Sequence, residues 1–100
     1  MNIGPTIQKL RKQKGLNQAD FKELTGLSQT ALSQIERGIR TPHKANLTKI
    51  CEVLKVPEHV LYLLSFDVED VPDDKKERFK MLYPSAKDLM IKIFYEENEN

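Results

Sequence analysis

Two short apolar patterns of helical period lie between residues 18 and 38, separated by the tripeptide Gly-Leu-Ser. The apolar residues of the two patterns are Phe21, Leu24, Ala31, Leu32 and Ile35. Gly26 in the break suits a left-handed turn, and Ser28 suits the position that caps the next helix. The stretch therefore predicts two helices joined by a tight turn and packed against one another.

The second of these helices carries amide and hydroxyl groups on its outward face. These residues are Gln29, Thr30, Ser33 and Gln34, followed by Arg37. Gln can make two hydrogen bonds to adenine in the major groove, Thr and Ser can contact thymine, and Arg can bind guanine or a phosphate. We therefore predict Gln29, Thr30, Ser33 and Gln34 as base-reading residues, with ordinary solvated helix residues as the alternative.

The charge of the chain is divided unevenly between its two parts. Residues 1–66 hold ten Lys and Arg against five Asp and Glu, which gives +5. Residues 67–100 hold six against ten, which gives −4 and leaves the whole chain at +1. Because the basic charge coincides with the two-helix stretch, it is typical of a surface that meets phosphates.

Several linked segments resemble the helix-turn-helix domain of the phage repressor and Cro family, also called the xenobiotic response element family. Residues 7–18 resemble its first helix and the entry into the second, residues 35–42 its Ile-Glu-Arg-Gly-x-Arg-x-Pro exit, and residues 47–57 its fourth helix. The resemblance covers residues 3–64 without gaps. It implies an all-α chain with a five-helix lambda-repressor-like DNA-binding domain.

The resemblance also implies residues that orient the domain on DNA. The candidates are Arg11, Gln18, Ser28, Arg37, Arg40 and Lys44. Arg11 and Glu36 resemble a pair that in this family joins the first helix to the end of the third. The alternative is that they are two unrelated surface charges. Arg11 can also point at a phosphate. Gln18 can reach a phosphate or brace Gln29.

The pattern predicts helices from about Pro5 to Lys14, Asn17 to Gly26, Ser28 to Arg37, Lys44 to Leu54 and Pro57 to Leu64. Asn17 is expected to cap the second helix, with Asp20 reaching back in a capping box. The predicted core consists of Ile7, Leu10, Leu16, Phe21, Leu27, Leu32, Ile35, Leu47, Ile50, Val53, Leu54, Val60, Leu61 and Leu64. No stretch alternates as a strand would. We expect Lys22, which stands where the family usually has a small residue, to turn outward or to tilt the two helices.

The remaining chain is read from its pattern alone, as one or two amphipathic helices. We expect residues 1–66 to form the DNA-binding domain, 67–78 an acidic linker, and 79–100 a C-terminal helical segment for dimerisation or packing, with a polar tail. Pro84 is expected to interrupt the helix, and Ser85 with Asp88 to cap a new one. An isolated helix of this length is marginal, so its apolar stripe needs a partner. Candidate contacts to a partner protein are Leu82, Leu89, Met90, Ile93 and Phe94.

These observations predict a sequence-specific double-stranded DNA-binding transcriptional regulator, acting as a repressor on a palindromic operator as a homodimer. The alternative is an antitoxin or interaction module whose C-terminal helix captures a partner protein, with autoregulatory DNA binding. We expect no enzyme activity, no catalytic residues, no metal and no cofactor, because the sequence has no phosphate loop or ligand cluster. One cysteine and no apolar run of membrane length favour a cytoplasmic protein.

Overall fold

The computed structural model describes residues 1–95, and within that range it contains helices and turns but no strand. The α-helices are α1 (Ile3–Gln13), α2 (Gln18–Thr25), α3 (Gln29–Glu36), α4 (Lys44–Leu54), α5 (Glu58–Leu64) and α6 (Lys76–Tyr95). The all-α class, the five-helix domain and the C-terminal helix are confirmed. The polar tail predicted at residues 96–100 lies outside the described residues.

The turn between α2 and α3 forms through the local interactions that the sequence predicts. Asn17 and Asp20 make a reciprocal capping box at the start of α2. Gly26 ends this helix in the left-handed region, at φ 78°. The Ser28 side chain then accepts a hydrogen bond of 3.0 Å from the Ala31 backbone N–H and so caps α3. These four residues therefore set both ends of α2 and the start of α3.

Helix α1 begins at Ile3, two residues earlier than predicted. The Asn2 side chain accepts a hydrogen bond of 3.1 Å from the Gly4 backbone N–H and supplies the N-cap. Pro5 therefore lies within the first turn, where its missing N–H leaves no intrahelical bond unmade. The start predicted at about Pro5 is two residues late because Asn2 caps the helix ahead of it, but the expected place of Pro5 in the first turn is confirmed.

One apolar core joins all six helices. Every predicted core residue is buried except Leu16 and Val53, which are partly buried against it. The core also includes five residues that the list omitted: Ile3, Ala31, Cys51, Val56 and Ile91. Leu24, which belongs to the apolar pattern of α2, is 52% exposed, so only Phe21 of that pair faces the core.

Helix α6 runs without interruption from Lys76 to Tyr95, and the predicted break at Pro84 was wrong. Pro84 has no N–H to donate to the carbonyl of Lys80. Both residues are exposed, so water can reach the unpaired carbonyl and the helix is not forced to end. The segment consequently forms one long helix instead of two short ones.

Side chains of α6 fasten it to the ends of two other helices. The Tyr83 hydroxyl donates to the Leu63 carbonyl, and the Tyr95 hydroxyl donates to the Leu54 carbonyl. Burial is the main cause that raises the pKa of Tyr95 to about 12, so this hydroxyl keeps its proton and its donor role. Phe79 and Tyr83 stack with ring centroids 4.5 Å apart. The Tyr95 bond satisfies a carbonyl that the last turn of α4 leaves unpaired, and the Tyr83 bond adds a second donor to the Leu63 carbonyl, which also accepts from the Phe66 backbone N–H.

The segment between α5 and α6 contains two 3₁₀ turns, Val68–Asp70 and Asp73–Lys75. The Lys76 ammonium donates hydrogen bonds of 2.9 Å to the carbonyls of Val68 and Val71, and so ties this segment to the start of α6. None of the helices described up to residue 95 is long and apolar enough to cross a membrane.

Gly4→Ala tests the close approach of α1 to α3. A methyl group on Gly4 would lie 2.1 Å from the Ile35 carbonyl oxygen, and a clash with backbone cannot be relieved by a rotamer change. In an open helix, Gly to Ala would stabilise by up to about 1 kcal/mol. Here we expect a loss of about 1–3 kcal/mol, measured by urea unfolding followed by circular dichroism. Lys12→Ala, on the exposed side of α1, is the control. A Gly4→Ala protein as stable as the parent would contradict the packing.

Candidate nucleic-acid interface

Helix α3 presents a polar surface to solvent while its other side enters the core. Leu32 and Ile35 are 0% and 1% exposed, which fixes the rotation of the helix about its axis. On the outward side Gln29, Thr30 and Arg37 are exposed, and Ser33 and Gln34 are half-buried. The structure thus places the four predicted base-reading residues together on one face. Their contact with bases remains a prediction.

The Gln29 amide at the start of this face is held by two hydrogen bonds. Its Nε2 donates to the Gln18 Oε1 at 2.7 Å and to the Ser33 Oγ at 3.2 Å. The brace between Gln18 and Gln29 is therefore formed. Since both amide protons are engaged, Gln29 can donate to a base only by releasing one of these bonds, and the Ser33 bond is the longer of the two.

Gln18 is itself held from the other side by a buried ion pair. Its Nε2 donates to the Glu36 Oε1 at 3.0 Å. Glu36 accepts two further bonds from Arg11, at 2.6 Å from Nε and 3.0 Å from NH2. This arrangement, which we call the Arg11–Glu36–Gln18–Gln29 chain, links α1, α2 and α3. The sequence analysis offered the pairs Arg11–Glu36 and Gln18–Gln29 but missed the bond from Gln18 to Glu36. No local sequence pattern indicates that bond.

Arg11 is enclosed, so its guanidinium does not lie on the surface that would face phosphates. The residue is 4% exposed, and its remaining NH1 donates to the Leu16 carbonyl at 2.8 Å. The pairing with Glu36, which is 3% exposed, is the reading that the structure supports. We therefore remove Arg11 from the phosphate candidates and assign it to holding the end of α3.

Arg37 and Arg40 lie exposed on the loop that follows α3. Gly38 takes a left-handed conformation at φ 78°, which reverses the chain. The backbone N–H groups of Ile39 and Arg40 then donate to the Gln34 carbonyl at 2.9 and 3.2 Å. These two hydrogen bonds to one carbonyl fix the loop that carries Arg37 and Arg40 against the end of α3.

The two other orienting candidates have partners within the chain. The Ser28 hydroxyl is used as the α3 cap, so this residue positions the helix start itself. The Lys44 ammonium lies 3.1 Å from both Glu58 carboxylate oxygens, and its side chain is 79% exposed. An ion pair that exposed contributes about 0–1 kcal/mol, so a phosphate could replace Glu58 as the partner of Lys44.

Lys22 lies half-buried on α2 and borders a shallow cavity together with Gly26 and Leu27. The long side chain is therefore accommodated at the surface beside the turn. Among residues 1–95 no three His, Cys, Asp or Glu side chains are grouped as a metal site would require.

The sequence of the chain is similar to a known family and to several known proteins. The model of the helix-turn-helix family matches residues 7–61. The HTH-type transcriptional regulator SutR of Escherichia coli is 40% identical over 55 residues, which is 55% of this chain and 31% of SutR. The HTH-type transcriptional regulator SinR of Bacillus subtilis is 38% identical over 60 residues, which is 59% of this chain and 54% of SinR.

A further relative, the uncharacterized HTH-type transcriptional regulator y4dJ of Sinorhizobium fredii, is 37% identical over 54 residues, covering 54% of this chain and 70% of y4dJ. The chain thus spans about a third of the length of SutR and about half of that of SinR. The family match begins within α1 and ends within α5, at residue 61.

Glu36→Ala tests the buried ion pair. Removing the carboxylate leaves the Arg11 guanidinium buried without a counter-charge and should lower the free energy of unfolding by about 3–5 kcal/mol. The double variant Arg11→Met/Glu36→Leu replaces the pair by apolar groups and should be clearly more stable than Glu36→Ala in urea unfolding. Equal instability of the single and double variants would show that the pair does not act as a unit.

Proposed function

The chain belongs to the helix-turn-helix family whose model matches residues 7–61, and on this basis we propose that it is a sequence-specific double-stranded DNA-binding transcriptional regulator. One observation carries the proposal: the polar face of α3 stands exposed at the end of a rigid hydrogen-bonded chain, beside two exposed arginines. The similarity to SutR and SinR, both named as HTH-type transcriptional regulators, supports it.

In the proposed complex α3 lies in the major groove with its N-terminal half against the base edges. Gln29 and Gln34 are suited to adenine through paired donor and acceptor atoms, and Thr30 and Ser33 to thymine or to neighbouring acceptors. The Gln18 bond can hold Gln29 while the longer bond to Ser33 is released in favour of a base, so little side-chain entropy is lost on binding. Preorganisation of this kind favours a defined base preference.

Phosphate contacts would orient the domain on the duplex. Arg37 and Arg40 are the strongest candidates, since both are exposed on a loop that is fixed to α3. Lys44 can join them by leaving Glu58. Ser28 and Gln18 contribute through the starts of α3 and α2, where free backbone N–H groups attract anions.

We propose that the working unit is a homodimer. One recognition helix reads only a few base pairs, and two half-sites about one helical turn apart are the usual solution. Two exposed apolar residues are suited to the contact: Ile39, 63% exposed in the loop after α3, and Tyr62, 40% exposed on α5. Tyr62 borders the same cavity as Arg40 and Thr41, so a two-fold contact there would bring both recognition helices close together. A dimer seated on a promoter excludes other proteins from the groove, which favours repression.

Selection of bound duplexes from a random DNA pool tests this proposal. We expect enrichment of a two-fold symmetric site with half-sites about 10 base pairs apart.

The dimer is tested separately by light scattering. The parent chain should be a dimer that Tyr62→Ser weakens, with Met81→Ser on α6 as the control. A pool that remains unselected at moderate salt would overturn the proposed function, and an asymmetric site would overturn the dimer.

Gln29→Ala and Gln34→Ala test base reading. Each should weaken binding to the selected site by about 1–3 kcal/mol and relax the preference at one base position. Gln13→Ala, an exposed amide on α1, is the matched control. The measurement is fluorescence anisotropy on a panel of singly substituted duplexes. An unchanged preference in both variants would show that these residues do not read bases.

Arg40→Ala tests orientation by phosphates. It should weaken binding to all sequences about equally and reduce the slope of log K against log salt by about 1. Lys80→Ala removes the same charge from the exposed side of α6 and should leave that slope unchanged. If both variants lowered the slope alike, the effect would belong to overall charge and not to a contact by Arg40.

A further inference from the structure

Helix α6 carries a line of apolar side chains that are largely exposed and lie outside the core of the described chain. Leu82, Leu89 and Ile93 are 58%, 63% and 72% exposed, and Ala86 between them is exposed as well. We call these four residues the α6 seam. Their spacing alternates steps of four and three residues, which places them along one side of the helix as the a and d positions of a coiled coil.

The opposite side of α6 holds the helix to the domain. Ile91, two residues beyond Leu89, is 8% exposed in the core, and the Tyr95 hydroxyl bonds to the end of α4. Met90 and Phe94 are partly buried against the same core. The stripe predicted from the sequence is therefore divided between two faces. Since the core-facing side anchors the helix, the α6 seam is available to another molecule without unfolding of this one.

The N-terminal end of the α6 seam borders a shallow, open cavity of about 310 Å³. Val71, Phe79 and Leu82 give it an apolar lining, and Lys75 and Arg78 stand at its edge. A cavity of this size accepts one or two large apolar side chains. The surface therefore combines a groove for anchoring with a helical line along which a partner helix can lie.

The charges beside the α6 seam distinguish among possible occupants. Arg78 and Lys92 occupy equivalent flanking positions on one edge of the seam, and both are exposed. If the α6 helix of a second copy of this chain packed antiparallel on the seam, Arg78 would face Lys92. If it packed parallel, Arg78 would face Tyr83. In neither arrangement does the described part of the second helix give Arg78 an acidic neighbour. Flanking charges of opposite sign are what select partners in such packing.

From this arrangement we infer that the α6 seam is the docking site for an amphipathic helix of another protein, one with acidic residues beside its apolar stripe. The partner's leucines or similar side chains would cover Leu82, Leu89 and Ile93, with one inserted in the cavity beside Phe79. Its carboxylates would pair with Arg78 and Lys92. This goes beyond the proposed DNA-binding function, because the α6 seam includes none of the residues assigned to DNA.

Two designed three-heptad peptides test the inference with the full chain. Both carry Leu at a and d positions and Ala elsewhere, but one has Glu and the other Lys at the flanking positions. We expect the full chain to bind the Glu peptide at least about tenfold more tightly than the Lys peptide in fluorescence anisotropy. Leu89→Ser should weaken the Glu peptide by about tenfold or more, since it removes an anchor. Met81→Ser, 72% exposed on α6 outside the seam, is the matched control and should change nothing.

A charge reversal provides a second readout. In Arg78→Glu/Lys92→Glu the preference should move to the Lys peptide. Equal binding of both peptides, or binding of neither, would overturn the inference. Dimerisation lost in Leu89→Ser but kept in Met81→Ser would assign the α6 seam to a second copy. Binding to anionic phospholipid vesicles that Leu89→Ser abolishes would assign it to a membrane surface.

The inference about the α6 seam and the proposed DNA-binding function can be contradicted independently of one another. Leu89→Ser should bind the selected DNA as the parent chain does. If the parent selects no DNA but prefers the Glu peptide, the inference stands without the proposed function. If it selects DNA but binds neither peptide, the reverse holds.

Discussion

The buried contact between Arg11 and Glu36 is the interaction on which the arrangement of α1, α2 and α3, and with it the candidate interface, depends. Burying a charge is costly unless it is paired and its hydrogen bonds are satisfied. Here the carboxylate accepts two bonds from the guanidinium and one from Gln18, while the remaining guanidinium nitrogen reaches the Leu16 carbonyl. The pair therefore fixes the end of α3 to the end of α1, and the loop between α1 and α2 is held at the same point. A pair with so many geometric requirements favours one arrangement of three helices over its alternatives.

The same interaction reaches the surface through amide groups. Gln18 passes the constraint from Glu36 to Gln29, so the first residue of the polar α3 face is positioned by a residue in the interior. The loop that carries Arg40 is fixed at the other end of α3 by bonds to the Gln34 carbonyl. The candidate interface is thus held by hydrogen bonds at both ends. In contrast, the exposed seam of α6 depends on aromatic and tyrosine contacts with the ends of α4 and α5, which are separate from this chain of polar bonds.

Local chemistry explains which features the sequence could predict. The caps at Asn17 and Ser28 and the turn at Gly26 depend on a few adjacent residues, and all three are found as expected. Leucine and isoleucine at helical spacing identified the faces of α3 to α5 for the same reason. Failures occurred where distant or solvent effects decide: Pro84 does not end α6, because the carbonyl it leaves unpaired is exposed, and the bond from Gln18 to Glu36 joins residues 18 apart in the chain. Ile91 is buried while Leu89 is exposed, and the sequence does not predict this difference. Apolar residues lie on several faces of α6, so their spacing alone does not show which face meets the core.

Under the proposed function, the bond between Gln18 and Gln29 couples two positions that any retargeting of the domain to other DNA sequences would have to change together. A recognition helix transplanted alone into this scaffold would bring its own residue at position 29 but would meet the Gln18 amide of the host. A new side chain at 29 that cannot accept or donate to that amide would adopt a different rotamer from the one it had in its source. The transferable unit is therefore the recognition helix together with the residue that opens the preceding helix. Libraries that vary both positions jointly would explore binding preferences that variation of the helix by itself does not reach.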